Sequence, residues 1–100
     1  MNHSLTDQGG DSTLRVGGDL DALSSPELRP TLEALAHDPR GNITVDLSNL
    51  KLIDSSGLGA LISLYKQAIS TGGTVNFIGV ADQPLVLFKL LKLDRAFGLS

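Results

Sequence analysis

Thr13-Leu14-Arg15-Val16 alternates polar and apolar side chains with period two, the pattern of a half-buried strand. Ahead of it, Leu5 is followed by Asp7-Gln8-Gly9-Gly10-Asp11, a run of turn formers. Residues 5–20 therefore read as a weak hairpin with a very short first strand, its second strand ended by Gly17-Gly18. From Ser24 the period changes. Ser24 or Ser25 suits a helix cap, Pro26 a first helical turn, and Glu27 the positive end of the dipole. Leu28, Leu32, Leu35 and Ala36 fall on one helical face, Pro30 tightens or kinks the start, and His37-Asp38-Pro39-Arg40-Gly41 ends the element.

Ile43-Thr44-Val45-Asp46-Leu47 is β-branched and short, a second strand signal, and Leu50 and Leu52-Ile53 add apolar weight after it. Beyond Asp54-Ser55-Ser56-Gly57 the period is helical again. Leu58, Leu61, Ile62, Tyr65, Ala68 and Ile69 form the stripe, and Gly72-Gly73 closes it. Thr74 to Val80 is the clearest strand, with Val75 and Phe77 on one side. A last helix spans about Gln83 to Leu90 with Leu87, Leu90 and Leu91 inward, and Leu93-Asp94-Arg95-Ala96-Phe97 forms a short terminal element. The order β-β-α-β-α-β-α implies right-handed crossovers onto a small, largely parallel sheet, with one layer of helices on one face.

One hundred residues make one domain, 1–100, with residues 1–11 a poorly defined strand and turn. No apolar run approaches the length of a membrane span, and Met1-Asn2-His3-Ser4 opens no secretory pattern, so a cytoplasmic protein without membrane insertion is expected. Eleven acidic against eight basic side chains leave a charge of -3, and no Lys/Arg cluster exists to grip a phosphate backbone. Direct nucleic-acid binding is not expected. The absence of cysteine removes thiol chemistry and thiolate metal sites. With two histidines and 4% aromatic residues, the chain is a thin toolkit for an enzyme, and no cofactor or metal is expected.

The constellation that stands out is Ile53-Asp54-Ser55-Ser56-Gly57-Leu58-Gly59, where strand and loop hand over to a helix. Asp54 or Ser55 suits the cap, which leaves Ser56 in the first turn with little cover from Gly57 and Gly59. Three readings compete: a bare capping sequence, a hydrolase nucleophile, or a serine that accepts a regulatory phosphate. The nucleophile reading lacks Gly-x-Ser-x-Gly and an adjacent base, since His3 and His37 lie elsewhere. A phosphate would add roughly -1.5 to -2 to a surface of charge -3, where a helix N-terminus tolerates it. Asp19-Leu20-Asp21 lies in a loop that a layered sheet brings to the same edge, so Asp19, Asp21, Asp54 and Ser56 form either one acidic face or an ordinary solvated pair and a cap.

Five stretches carry a family resemblance: Gly18-Asp19-Leu20-Asp21, Val45-Asp46-Leu47-Ser48, Ile53 through Gly59, Gly73 through Gly79, and Leu93 through Phe97. From about residue 12 onward the chain resembles the STAS-domain family, in particular stand-alone bacterial anti-sigma factor antagonists. The resemblance implies an α/β fold: a small mixed sheet of four to five strands with helices packed mainly on one face. It implies a partner switch as well. The unphosphorylated protein would bind an anti-sigma factor that is a serine kinase and free the sigma factor. Phosphorylation of Ser56 would end that binding, and a serine phosphatase would reverse it. Asp19, Asp21, Asp54, Ser55, Ser56, Gly57 and Leu58 are the expected partner-binding residues, on a monomer that exchanges partners. Related domains serve lipid- and anion-transport complexes, some by binding a transporter ATPase, and that is the alternative function.

Overall fold

The computed structural model describes residues 1–37 and 41–98. Its elements run β1 (Asn2–Gln8), β2 (Asp11–Leu20), α1 (Ser25–Ala36), β3 (Asn42–Asp46), β4 (Leu50–Ile53), α2 (Ser55–Ser70), β5 (Thr74–Ile78), α3 (Asp82–Leu90) and α4 (Leu93–Ala96). The sheet order is β1-β2-β3-β5, with β4 joined to β2. β1 pairs antiparallel with β2, and the remaining pairs are parallel, so the sheet is mixed.

Alternation explains the two faces. Leu14, Val16, Ile43, Val45, Val75 and Phe77 point into the core, while Thr13, Arg15, Thr44, Asp46, Asn76 and Ile78 lie on the opposite side. Leu28, Leu32 and Leu35 of α1 and Leu58, Leu61, Leu64 and Ala68 of α2 cover the apolar side, and the two helices pack on each other. The polar side carries the weak pair of Arg15 and Asp46, 3.6 Å apart. Helices thus sit mainly on one face, as expected.

Several expectations need correction. The first strand is seven residues long and pairs with β2 along its whole length. Gly9 and Gly10, at φ 59° and 95°, supply the two left-handed positions that a tight hairpin of this twist requires. Gly17-Gly18 does not end β2. The strand continues to Leu20, shifting register between Gly18 and Asp19, and its far end takes β4 as a new neighbour. α1 runs unbroken through exposed Pro30. Of its expected terminator, Asp38, Pro39 and Arg40 lie outside the described residues.

The last helix is turned differently from expectation. Pro84 and Phe88 are buried, Leu87 is half-buried, and Leu90 and Leu91 are 72% and 54% exposed. Phe88 sets the phase, because its ring meets Phe77 edge-on at 6.3 Å and Phe97 at 5.7 Å. Leu90 lies about 200° further round the helix, and so faces outward. On α2, Leu64 joins the buried stripe and Ile69 leaves it. Tyr65 is half-buried, its ring 4.9 Å from Phe97 and its hydroxyl donating to the Ala96 carbonyl at 3.1 Å.

Candidate functional site

β4 ends at Ile53 and α2 starts at Ser55, so one residue makes the turn from strand to helix. That residue, Asp54, is extended (φ -109°, ψ -175°) and caps α2 through its side chain. Oδ1 accepts from the Gly57 N–H at 2.9 Å, and Oδ2 accepts from the Ala22 N–H at 3.0 Å in the β2–α1 loop. The carboxylate therefore fastens two loops together. A backbone bond from Asp54 N–H to the Leu20 carbonyl, 3.2 Å, adds a second tie. Gly57 is needed for the close approach: a Cβ there would lie 2.5 Å from the Leu20 carbonyl oxygen and 2.7 Å from Leu20 Cγ.

Asp21 organises the neighbouring loop. Its Oδ1 accepts from the Leu23 and Ser24 N–H groups, both at 3.0 Å. The Ser24 hydroxyl shares its proton between that oxygen, at 3.1 Å, and the Asp19 carbonyl, at 2.9 Å, while accepting from the Asp21 N–H at 2.9 Å. Ser24 thus precedes α1 without capping it, and Ser25 is buried. These donors hold the Asp21 carboxyl below its ordinary value, the Ser24 amide most, then the Ser24 hydroxyl, with burial opposing and the Leu23 amide assisting.

The expected site residues fall into three groups. Asp19, Asp21 and Asp54 line one hollow of about 250 Å³ together with Leu52 and Gln83. Ser55 and Ser56 line a different groove, about 410 Å³, between α1 and α2, where Arg29 and Glu33 form part of the α1 wall and Gly59, Ala60 and Ser63 the α2 wall. Ser55 is exposed and Ser56 half-buried. Gly57 and Leu58 are buried, Leu58 to 3% exposure, and belong to the frame rather than to a contact surface. Of the four residues read either as one acidic face or as a solvated pair and a cap, the three carboxylates share one hollow and Ser56 lies on the other. Asp54 spends both oxygens and Asp21 its Oδ1 on backbone amides, and Asp19 is the exposed carboxylate of the three.

Sequence reasoning missed three contributors. Leu23 stands 93% exposed in the β2–α1 loop, and Leu52 is an exposed leucine on the hollow. Gln83 reaches back from α3 to the backbone of Ile53. An unpaired leucine amid Asp21-Ala22-Leu23-Ser24 was the available signal for Leu23. Gln83 had none, because its partner is thirty residues away. Among the described residues no group of His, Cys, Asp and Glu is placed to hold a metal ion, and no helix is long and apolar enough to cross a membrane.

A mixed sheet covered mainly on one face by helices, with a hydroxyl-rich helix start at its edge, places the chain among small α/β domains. The chain belongs to the STAS domain family: the family model described as "Mlab, STAS domain" matches residues 3–99. An anti-sigma-B factor antagonist of Staphylococcus aureus (strain NCTC 8325 / PS 47) is 31% identical over 93 residues, 93% of this chain and 86% of that protein. The crystal structure of an anti-sigma factor antagonist from Mycobacterium paratuberculosis matches with a TM-score of 0.80 at 26% identity, covering 96% of this chain and 81% of that one. The Bacillus cell fate determinant SpoIIAA in its phosphorylated form shares the fold at 17% identity, with a TM-score of 0.74 over 98% of this chain and 85% of that one. The expected fold and the expected family resemblance are both met.

Proposed function

We propose that this chain is an anti-sigma factor antagonist of the cytoplasm, residues 1–100 acting as one STAS domain. The unphosphorylated protein binds an anti-sigma factor that is a serine kinase, and sigma factor is released. Phosphorylation of Ser56 switches the binding off, and a serine phosphatase restores it. The observation that carries this reading is Ser56 itself, on an open groove in the first turn of a helix already capped by Asp54, in a chain whose relatives are named anti-sigma-B factor antagonists. Asp54 occupies the Gly57 amide, while the N–H groups of Ser55 and Ser56 remain within a first helical turn that favours negative charge. A phosphate there changes the contact surface without requiring the fold to open. That SpoIIAA, of the same fold, exists in a phosphorylated form agrees with this use of the domain.

The partner surface proposed is the groove edge at Ser55 and Ser56 together with Asp19 and the exposed Leu23, with Asp21, Asp54, Gly57 and Leu58 holding it in shape. The test is incubation with the cognate kinase and ATP, followed by intact mass and peptide mapping. One phosphate on Ser56 is expected, and none on Ser56→Ala. The alanine variant retains binding to the kinase, and Ser56→Asp binds poorly. A phosphate mapped to another residue sinks the assignment of Ser56. Stable copurification with a transporter ATPase, indifferent to charge at Ser56, points to the transport alternative instead.

A further inference from the structure

Among the described residues β1 is an edge strand: the order β1-β2-β3-β5 gives it a neighbour on one side only, and all seven of its residues are exposed. Edge strands are commonly blunted by proline, lysine, a bulge or extreme shortness. Asn2-His3-Ser4-Leu5-Thr6-Asp7-Gln8 contains neither proline nor lysine and pairs with β2 without a register shift. Its backbone is therefore open to another strand.

The groups it offers follow from the hairpin. Gln8 and Asp11 flank the Gly9-Gly10 turn and face each other. A two-residue turn of this kind closes on a hydrogen-bonded pair, and antiparallel ladders alternate from there. Asn2, Ser4, Thr6 and Gln8 accordingly turn their backbone groups toward β2. His3, Leu5 and Asp7 turn theirs outward.

The side chains on either side of Leu5 are alike in two pairs and complementary in the third. Asn2 mirrors Gln8, His3 mirrors Asp7, and Ser4 mirrors Thr6. We propose that β1 is a self-complementary edge that pairs antiparallel with β1 of a second copy of this chain, about a two-fold axis at Leu5. In that register the outward backbone groups of Leu5 meet those of Leu5 of the second copy, and those of His3 meet Asp7 of the second copy. Each residue lies opposite one that suits it: amide to amide, hydroxyl to hydroxyl, imidazole to carboxylate, leucine to leucine. The contact is isologous, and it closes.

The faces agree as well. His3, Leu5 and Asp7 lie opposite Val16, Leu14 and Ser12, so they share the helix-covered side of the sheet. Leu5 is 41% exposed beside fully buried Leu14, and the leucine of the second copy would cover it. The Ser12 hydroxyl donates to Asp7 Oδ1 at 2.6 Å, which leaves Oδ2 for the imidazole of the second copy. A single strand pair is a small interface, so the dimer is weak and exchanges with the monomer expected from sequence.

Because the chain has no cysteine, single cysteines test the register directly. Mild oxidation of Leu5→Cys should give a disulfide-linked dimer, since two-fold-related Cα atoms across a hydrogen-bonded pair lie about 5.5 Å apart. Thr6→Cys should remain monomeric, because residue 6 faces Ser4 of the second copy rather than itself. Sedimentation equilibrium of the unmodified chain up to about 1 mM should show reversible dimers. His3→Asp, which sets like charges opposite, should weaken association about tenfold, and His3→Asp with Asp7→His should restore it. Leu5→Pro removes an N–H that points away from β2, together with the leucine side chain, and leaves the bonds to β2 in place, so it should abolish dimers while circular dichroism stays native. Equal oxidation at positions 5 and 6, a monomer across the whole range, or a dimer that survives in natively folded Leu5→Pro would each overturn the proposal. A complex containing the strand of a different protein in place of the second copy would overturn it as well.

Discussion

The side-chain amide of Gln83 grips the backbone of Ile53 at both ends: Oε1 accepts from the Ile53 N–H at 2.9 Å, and Nε2 donates to the Ile53 carbonyl at 3.0 Å. These are the two bonds that a neighbouring strand would make. Gln83 therefore finishes the edge of β4 one residue before Asp54 and ties α3 to the turn that carries Ser55 and Ser56.

Replacing Gln83 with alanine leaves both Ile53 groups without that partner, at a cost of about 1–2 kcal/mol. For a domain of this size that lowers Tm by roughly 4–8 °C per kcal/mol. Gln83→Glu keeps the acceptor but sets a carboxylate oxygen against the Ile53 carbonyl, so it should not recover the native stability. Thermal unfolding measures the cost, and amide exchange locates it. Exchange should quicken at Ile53 and Asp54 before it does in β3 or β5, and uniform quickening across the sheet would contradict the local role.

Asp54 acts on two chain segments, so its variants should separate two contributions. Asp54→Ala removes the cap on Gly57 and the bond to the Ala22 amide together. Loss of a helix cap of this kind costs about 0.5–2 kcal/mol, and the Ala22 tie adds to it. Asp54→Asn retains one carbonyl oxygen for the cap and should recover part of the loss. Urea midpoints give the ordering: native, then asparagine, then alanine. Equal midpoints for alanine and the native chain would show that the carboxylate fastens nothing.

Much of the architecture was legible because buried faces repeat. Leu28, Leu32 and Leu35 mark α1, Val75 and Phe77 mark β5, and the structure buries each of them. β4 was not legible as a strand, because Leu50-Lys51-Leu52-Ile53 pairs only with the end of β2 beyond a register shift, and exposed Leu52 breaks any simple pattern. α3 was read by its leucines, whereas the aromatic cluster of Phe77, Phe88 and Phe97 decides its rotation. At the site, Asp54 was visible as a cap because capping is local. The second bond of Asp54, to Ala22, and the demand of Leu20 on Gly57 join segments far apart in sequence, so neither residue pattern announces them.

Asp21 and Asp46 make stability depend on acid. Hydrogen bonds from Ser24 hold the Asp21 carboxyl below its ordinary 3.8, and those from Ser48 do the same for Asp46, assisted by the charge of Arg15 and opposed by burial. A carboxyl that is more acidic folded than unfolded contributes stability fully above the unfolded value of about 3.9 and loses it as pH falls through the lower, folded value. Between neutrality and about pH 5 these two groups leave Tm unchanged, and below that range Tm should fall. Asp21→Asn and Asp46→Asn lose the charge at every pH. Each should melt below the native chain at neutral pH, show a shallower decline in acid, and converge with it once the carboxyls are protonated. Melting curves taken from neutral pH into the acid range decide the matter, because parallel declines for variant and native chain would mean that the amide and hydroxyl donors place no special value on the ionised form.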